Sequence, residues 1–156
     1  MLYSALQELE GELSGRCILV TFGGGAFNVP AGYQHRHMGI LSELRQITKL
    51  YNAADVMLVP SRMEAFGQTA SESLACGTPV VCFETSGLRD IVIHENSGYL
   101  AKPYDYHSFA DGIRWCLAEL DQGARGSIFE AAHARFDINL VANRYRRLYA
   151  KLTKDL

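Results

Sequence analysis

Short apolar runs alternate with stretches of helical spacing along the whole chain, and that alternation predicts an α/β fold. Residues 1 to 13 carry a helical pattern. Arg16-Cys17-Ile18-Leu19-Val20-Thr21-Phe22 reads as a buried strand stopped by Gly23-Gly24-Gly25, and a polar loop runs on to Gln34. A second strand fits His37-Met38-Gly39-Ile40, because Leu44, Ile47, Leu50 and Tyr51 then form a helical stripe. Val56-Met57-Leu58-Val59 is a strand closed by Pro60. A short helix from Gly67 to Cys76 stops at Gly77, with Pro79 two residues on. Pro79 to Phe83 is the next strand, Gly87 to His94 another short helix, and Gly98-Tyr99-Leu100-Ala101 the last strand. Asp105 is the expected N-cap of a helix striped with Phe109, Ile113, Cys116, Leu117 and Leu120. Two more helical patterns follow, the last over 137–154. Strands this apolar, each followed by a helix, imply a parallel sheet covered on both faces, with ligands at the carboxyl ends of the strands.

Composition narrows the function classes. A chain of 156 residues without a linker or repeat reads as one domain, 1–156. Fifteen Lys and Arg against 17 Asp and Glu leave no basic surplus for a phosphate backbone, so nucleic acid is not an expected partner. No run reaches the roughly 18 apolar residues of a membrane span, and Met1-Leu2-Tyr3-Ser4 opens no signal peptide. The expected location is cytoplasmic. Cys17, Cys76, Cys82 and Cys116 show no paired spacing and read as packed free thiols.

The chemistry concentrates in LVPSRMEAFGQTASESLACGTPVVCFETSGLRDIV, which starts at Leu58 and holds Glu64 and Glu72, eight apart. Ten Glu in a chain of this length give about 0.6 such pairs by chance, so context carries the argument. Glu64 lies in the loop leaving a strand, and Glu72 lies one or two turns into the helix that this loop opens. Between them Gly67 admits close backbone approach, and the amides around Gly67, Gln68 and Thr69 are free donors. A diphosphate fits that helix pole, gaining roughly 0.3–1 kcal/mol from the dipole. Two carboxylates beside an anion must instead accept hydrogen bonds from neutral hydroxyls, and vicinal diols suit them. Hydroxyls at both ends with a diphosphate between describe a nucleotide sugar.

This stretch, extended upstream through Leu50-Tyr51-Asn52-Ala53-Ala54-Asp55 and downstream to Asn96-Ser97-Gly98-Tyr99-Leu100, resembles the donor-binding C-terminal domain of retaining GT-B glycosyltransferases, the group 1 family. The likeness covers about residues 38 to 120. It implies a Rossmann-like parallel sheet with helices on both faces, one GT-B half. It implies that Glu64 holds hydroxyls of the donor sugar as the catalytic-site carboxylate, and that Glu72 holds the ribose diol. Phe66, Gly67 and Gln68, with Thr69 beside them, would meet the sugar and diphosphate, and Met38, Gly39 and Ile40 would present backbone groups to the base. The implied reaction is sugar transfer from a UDP- or GDP-linked donor to an acceptor hydroxyl with retention, as in polysaccharide biosynthesis.

The resemblance also implies what lies outside this chain. Such enzymes have an N-terminal acceptor domain, and their second domain opens with a strand and a loop bearing Arg and Lys for the diphosphate. Here residues 1 to 13 already match the following helix. Losing two charge-assisted contacts would weaken donor binding by roughly 3–6 kcal/mol, so the isolated chain is expected to be inactive. Strands 16–22 and 56–59 would lack a shared neighbour and expose their edges. Any peripheral membrane association would come only through the absent domain. The last helix, striped with Ile138, Val141, Tyr145, Leu148 and Leu152 amid Arg144, Arg146, Arg147, Lys151 and Lys154, either crosses toward that domain or caps its own sheet.

Blander readings stand beside these. Thr69-Ala70-Ser71-Glu72 fits a capping box, in which Glu72 merely reaches back to the Thr69 amide. His35 and His37 alternate as two strand residues on one face could, which invites a metal, but a third ligand and any Asp-x-Asp are missing, so neither metal nor cofactor is expected. Gly23-Gly24-Gly25 fails the dinucleotide spacing because Asn28 stands where a third glycine belongs. The alternative from another class is a non-catalytic nucleotide-binding or interaction module.

Overall fold

A computed structural model describes residues 1–25, 27–120 and 123–153. In chain order the elements are α1 (Leu2–Glu8), α2 (Glu10–Leu13), β1 (Ile18–Thr21), β2 (Gln34–His37), α3 (Leu44–Ala53), β3 (Met57–Val59) and α4 (Gln68–Ala75). They continue as β4 (Val80–Phe83), α5 (Leu88–Ile91), β5 (Gly98–Ala101), α6 (Tyr106–Glu119), α7 (Ala124–Phe136) and α8 (Ile138–Leu152). The α/β alternation and the parallel pairing agree with the hydrophobic pattern. The expected helix over 1–13 divides in two at Leu9, and the expected strand 16–22 shortens to Ile18–Thr21. The helix read from Gly87 to His94 contracts to Leu88–Ile91. Lys154 of the expected final helix lies outside the described residues.

The central sheet has the order β3-β4-β5, all parallel, with Met57 opposite Val80 and Val80 opposite Gly98. Alternation along β4 divides the core into two layers. Val80 and Cys82 face Ala70, Leu74, Leu88, Ile91 and Ile128 of α4, α5 and α7. Val81 and Phe83 face Ala5, Leu9, Phe109, Ile113 and Cys116 of α1, α6 and the α1–α2 junction. All four β4 residues are fully buried, with about 1.5–3 kcal/mol of apolar burial for each of Val80, Val81 and Phe83. Asp105 caps α6 as expected, accepting from the amides of His107 and Ser108. The four cysteines are free.

Two expectations are corrected here. The second strand is Gln34–His37, not 37–40, and it pairs parallel with β1 from Ile18 opposite Gln34 to Thr21 opposite His37. Met38 N–H closes a last bond on Thr21 O, and Gly23 N–H then turns to Gly39 O, so the chain leaves the sheet and Met38 to Ile40 form a loop at its carboxyl edge. The β1–β2 pair is also not covered on both faces: Ile18 is 49% and Val20 42% exposed, and every residue of β2 is exposed.

The reason lies in the connectivity. Strands β1 and β3 do not pair, so the chain forms two parallel sheets rather than one. Between their edges runs a cleft of about 640 Å³ lined by Leu6, Leu13, Ile18, Val56, Leu58 and Ile113 among others. The facing edges of β1 and β3 are unpaired among the described residues. The smaller sheet is tied to α1 and α2 by Tyr33 Oη donating to Leu6 O at 2.7 Å and Gly32 N–H donating to Glu10 Oε1 at 3.0 Å. No residue of α8 is buried, so the reading in which it caps the sheet is not realised.

Candidate functional site

The loops leaving the carboxyl ends of β3 and β4 converge in front of α4. Helix α4 starts at Gln68 with Gly67 as N-cap, one residue inside the expected start. Gly67 is left-handed at φ 87°, and a Cβ there would come within 2.8 Å of Leu88 Cδ2, so both backbone and space require glycine. No side chain caps the helix. The first internal bond is Ser71 N–H to Gly67 O at 3.1 Å, which leaves the amides of Gln68, Thr69 and Ala70 at the open pole. The capping-box reading therefore fails: its cap would be Thr69, and the helix begins before it.

Glu72 lies within the helix and is half-buried. Its Oε2 accepts from the Tyr51 hydroxyl at 3.2 Å. Tyr51 lies in the last turn of α3 and is 2% exposed; burial, then the neighbouring Glu72 carboxylate, drive its phenol well above the ordinary tyrosine range. Its carbonyl accepts from Thr78 Oγ1 at 2.6 Å, and Thr78 Oγ1 accepts from Arg125 at 2.7 Å. Arg125 also donates to Ala54 O and Asn52 O. The partner of Glu72 is thus anchored through α3, the turn before β4, and α7.

Glu64 is half-buried in the loop after β3, and two bonds to the loop after β4 hold its backbone. Its N–H donates to Ser86 Oγ at 2.9 Å and its carbonyl accepts from Gly87 N–H at 3.1 Å. A Cβ at Gly87 would meet Ala65 O at 2.8 Å and Phe66 Cα at 2.9 Å, so the loops pack backbone on backbone. Ser86 takes φ 41° to reach this position. Phe66 is 54% exposed and sets its ring edge against Phe136, with centroids 6.1 Å apart. Glu64, Phe66, Gly67, Gln68, Thr69 and Glu72 therefore belong to one loop and helix pole, while Met38, Gly39 and Ile40 lie on the loop leaving the other sheet.

Local sequence offers no role for Ser86, Gly87 or Tyr51. Each acts through a contact 21 or 22 residues distant in the chain or through close packing, for which no local spacing exists. His35 Nε2 and His37 Nδ1 both meet Thr21 Oγ1, at 2.8 and 3.0 Å. Among the described residues no group of three or more His, Cys, Asp or Glu gathers as metal ligands, and no helix is long and apolar enough to cross a membrane.

Comparison with known proteins places this geometry. The family described as Glycosyl transferases group 1 matches residues 5–128. The chain belongs to that family. It is 39% identical over 115 residues to a D-inositol 3-phosphate glycosyltransferase of Xylanimonas cellulosilytica, covering 72% of this chain and 27% of that protein. It is 41% identical over 73 residues to an uncharacterised glycosyltransferase of Methanocaldococcus jannaschii, covering 47% of this chain and 19% of that one. This group 1 chain thus spans about a quarter of the first curated relatives it matches. Among solved structures, sucrose-phosphate synthase from Thermosynechococcus elongatus superposes with a TM-score of 0.76 at 25% identity, over 99% of this chain and 43% of that one. Anabaena HepE in complex with UDP gives 0.75 at 20% identity, over 95% and 44%. The fold is one half of the GT-B architecture.

Proposed function

We propose that this chain is the donor-binding half of a retaining glycosyltransferase, taking a nucleoside-diphosphate sugar and passing the sugar to an acceptor hydroxyl. The observation that carries the reading is the uncapped pole of α4, whose open amides lie between two half-buried carboxylates. Those amides suit a diphosphate, and they supply fixed donors where negative charge grows as the leaving group departs. Glu72, positioned by Tyr51, suits the ribose diol. Glu64, on a loop clamped by Ser86 and Gly87, suits hydroxyls of the transferred sugar. The loop Met38 to Ile40 suits the base, and Phe66, Gly67, Gln68 and Thr69 suit the diphosphate and sugar. UDP bound by the Anabaena neighbour makes uridine the first base to test.

A longer protein would supply the acceptor domain, the basic loop for the diphosphate and a strand for the cleft between β1 and β3. Calorimetry with UDP, GDP and UDP-glucose on the full-length protein tests the reading, together with Glu72→Gln and Glu64→Gln. Glu72→Gln should weaken UDP about tenfold and Glu64→Gln should abolish transfer while sparing UDP. UDP binding without transfer to any acceptor would favour the non-catalytic module, and the absence of any nucleotide binding would sink both.

A further inference from the structure

The loop that presents Glu64 also carries Arg62, and a third loop, the one leaving β5, reaches it. Arg62 Cζ lies 5.7 Å from the centroid of the Tyr104 ring, and the Tyr104 hydroxyl donates to Arg62 O at 3.4 Å. Tyr104 holds φ 63°, a left-handed conformation that a bulky side chain rarely takes, and its ring rests against buried Phe83 at 6.2 Å. The cation and the aromatic face are thus held together at the carboxyl edge of the sheet.

What Arg62 lacks is an acceptor. Arg89, on the neighbouring loop, pairs with Glu84 at 3.6 Å, Arg125 donates to backbone carbonyls, and Arg114 engages three carboxylates. Arg135 also stacks on a ring, that of Phe136, but spends its donors on Asp90 O and Ile91 O. Among the described residues the Arg62 guanidinium makes no hydrogen bond or ion pair, not even with Glu64 two residues on. A planar fork of five donors, oriented by a ring on one face, matches the paired oxygens of a phosphate.

We infer that Arg62 is a phosphate-contact residue of the site and that Tyr104 is its positioning residue. The inference rests on the donor-site reading above. The phosphate has two sources, the diphosphate of the donor or a phosphate on the acceptor. Glu64 would then meet neutral hydroxyls while Arg62 neutralises the anion beside them, which divides two opposite charges on one loop between two chemical groups of the ligand.

Calorimetry on the full-length protein tests this with UDP against uridine, and with inorganic phosphate added to the UDP-saturated protein. Arg62→Gln should lower the UDP-to-uridine affinity ratio about tenfold if the donor is the source, or weaken inorganic phosphate about tenfold if the acceptor is. Tyr104→Leu, which keeps bulk against Phe83 but has no π face, should reproduce that loss, and Tyr104→Phe should not. If both readouts are unchanged in Arg62→Gln, the inference is overturned while the donor site stands. A wild-type protein that binds no nucleoside diphosphate overturns both. If Arg62→Gln loses phosphate recognition but Tyr104→Leu does not, the positioning role is overturned.

Discussion

The Tyr51 hydroxyl donates to Glu72 Oε2 over 3.2 Å, joining the last turn of α3 to the second turn of α4. This bond uses one carboxylate oxygen, and the ring that donates it is buried.

Tyr51→Phe removes the bond and keeps the ring. We expect a loss of folding stability of about 1–3 kcal/mol, read from urea unfolding, because the acceptor is charged and partly shielded from solvent. UDP affinity should fall about three- to tenfold, with 2′-deoxy-UDP affected less, since its diol is already broken. Equal losses for both nucleotides would argue against a grip on the diol.

Gly87→Ala tests the clamp on Glu64. The new methyl would press on Ala65 O and Phe66 Cα, so the two loops must move apart there. Transfer by the full-length protein should drop at least about 100-fold. The thermal midpoint should fall modestly, as the contact lies in a surface loop. Unchanged kcat would show that the position of Glu64 is unimportant.

The cleft between β1 and β3 predicts how the sheet responds to added chain. Two parallel edges line an apolar slot, and α1 with α2 leads into β1. In a protein carrying residues ahead of Met1, a strand entering the slot should slow amide exchange in β1 and β3 by about 100-fold. Dye binding to the 156-residue chain, seen with an anilinonaphthalene probe, should disappear in the longer one. Persistent dye binding and fast exchange there would contradict this.

Alkaline pH should destabilise the fold. Burial pushes the Cys82 and Cys116 thiols up to about 12 from an ordinary value of 9.0, with Cys116 beside Cys82 contributing to the first. A folded value above the unfolded one favours the protonated native state, so stability is complete below pH 9 and declines as pH rises toward about 12. Each thiol adds a slope of at most about 1.4 kcal/mol per pH unit. Urea midpoints at successive pH values check the sign, and Cys82→Ala should flatten the decline.

Much of the candidate site is legible in the sequence because its parts are local. Glu64, Gly67 and Glu72 fall within nine consecutive residues on one strand-loop-helix unit, and strand and helix periods repeat within a few residues. The boundaries of β2 were not legible. Nothing in Gln34-His35-Arg36-His37 is apolar, and only pairing with β1 makes it a strand. Met38 and Ile40 suit a strand by hydropathy, yet they are 50% and 82% exposed on the loop beyond.

The sequence by itself determined the order of elements, the parallel class of the sheet and the spacing of the two carboxylates, because short-range periodicity and turn residues encode these. Only the tertiary structure decided that Tyr51 restrains Glu72, that Ser86 and Gly87 clamp Glu64, that Tyr104 carries Arg62, and that β1 and β3 stand apart. Those relations join residues distant along the chain, and their energies come from packing and hydrogen bonds that exist only after the loops have been brought together.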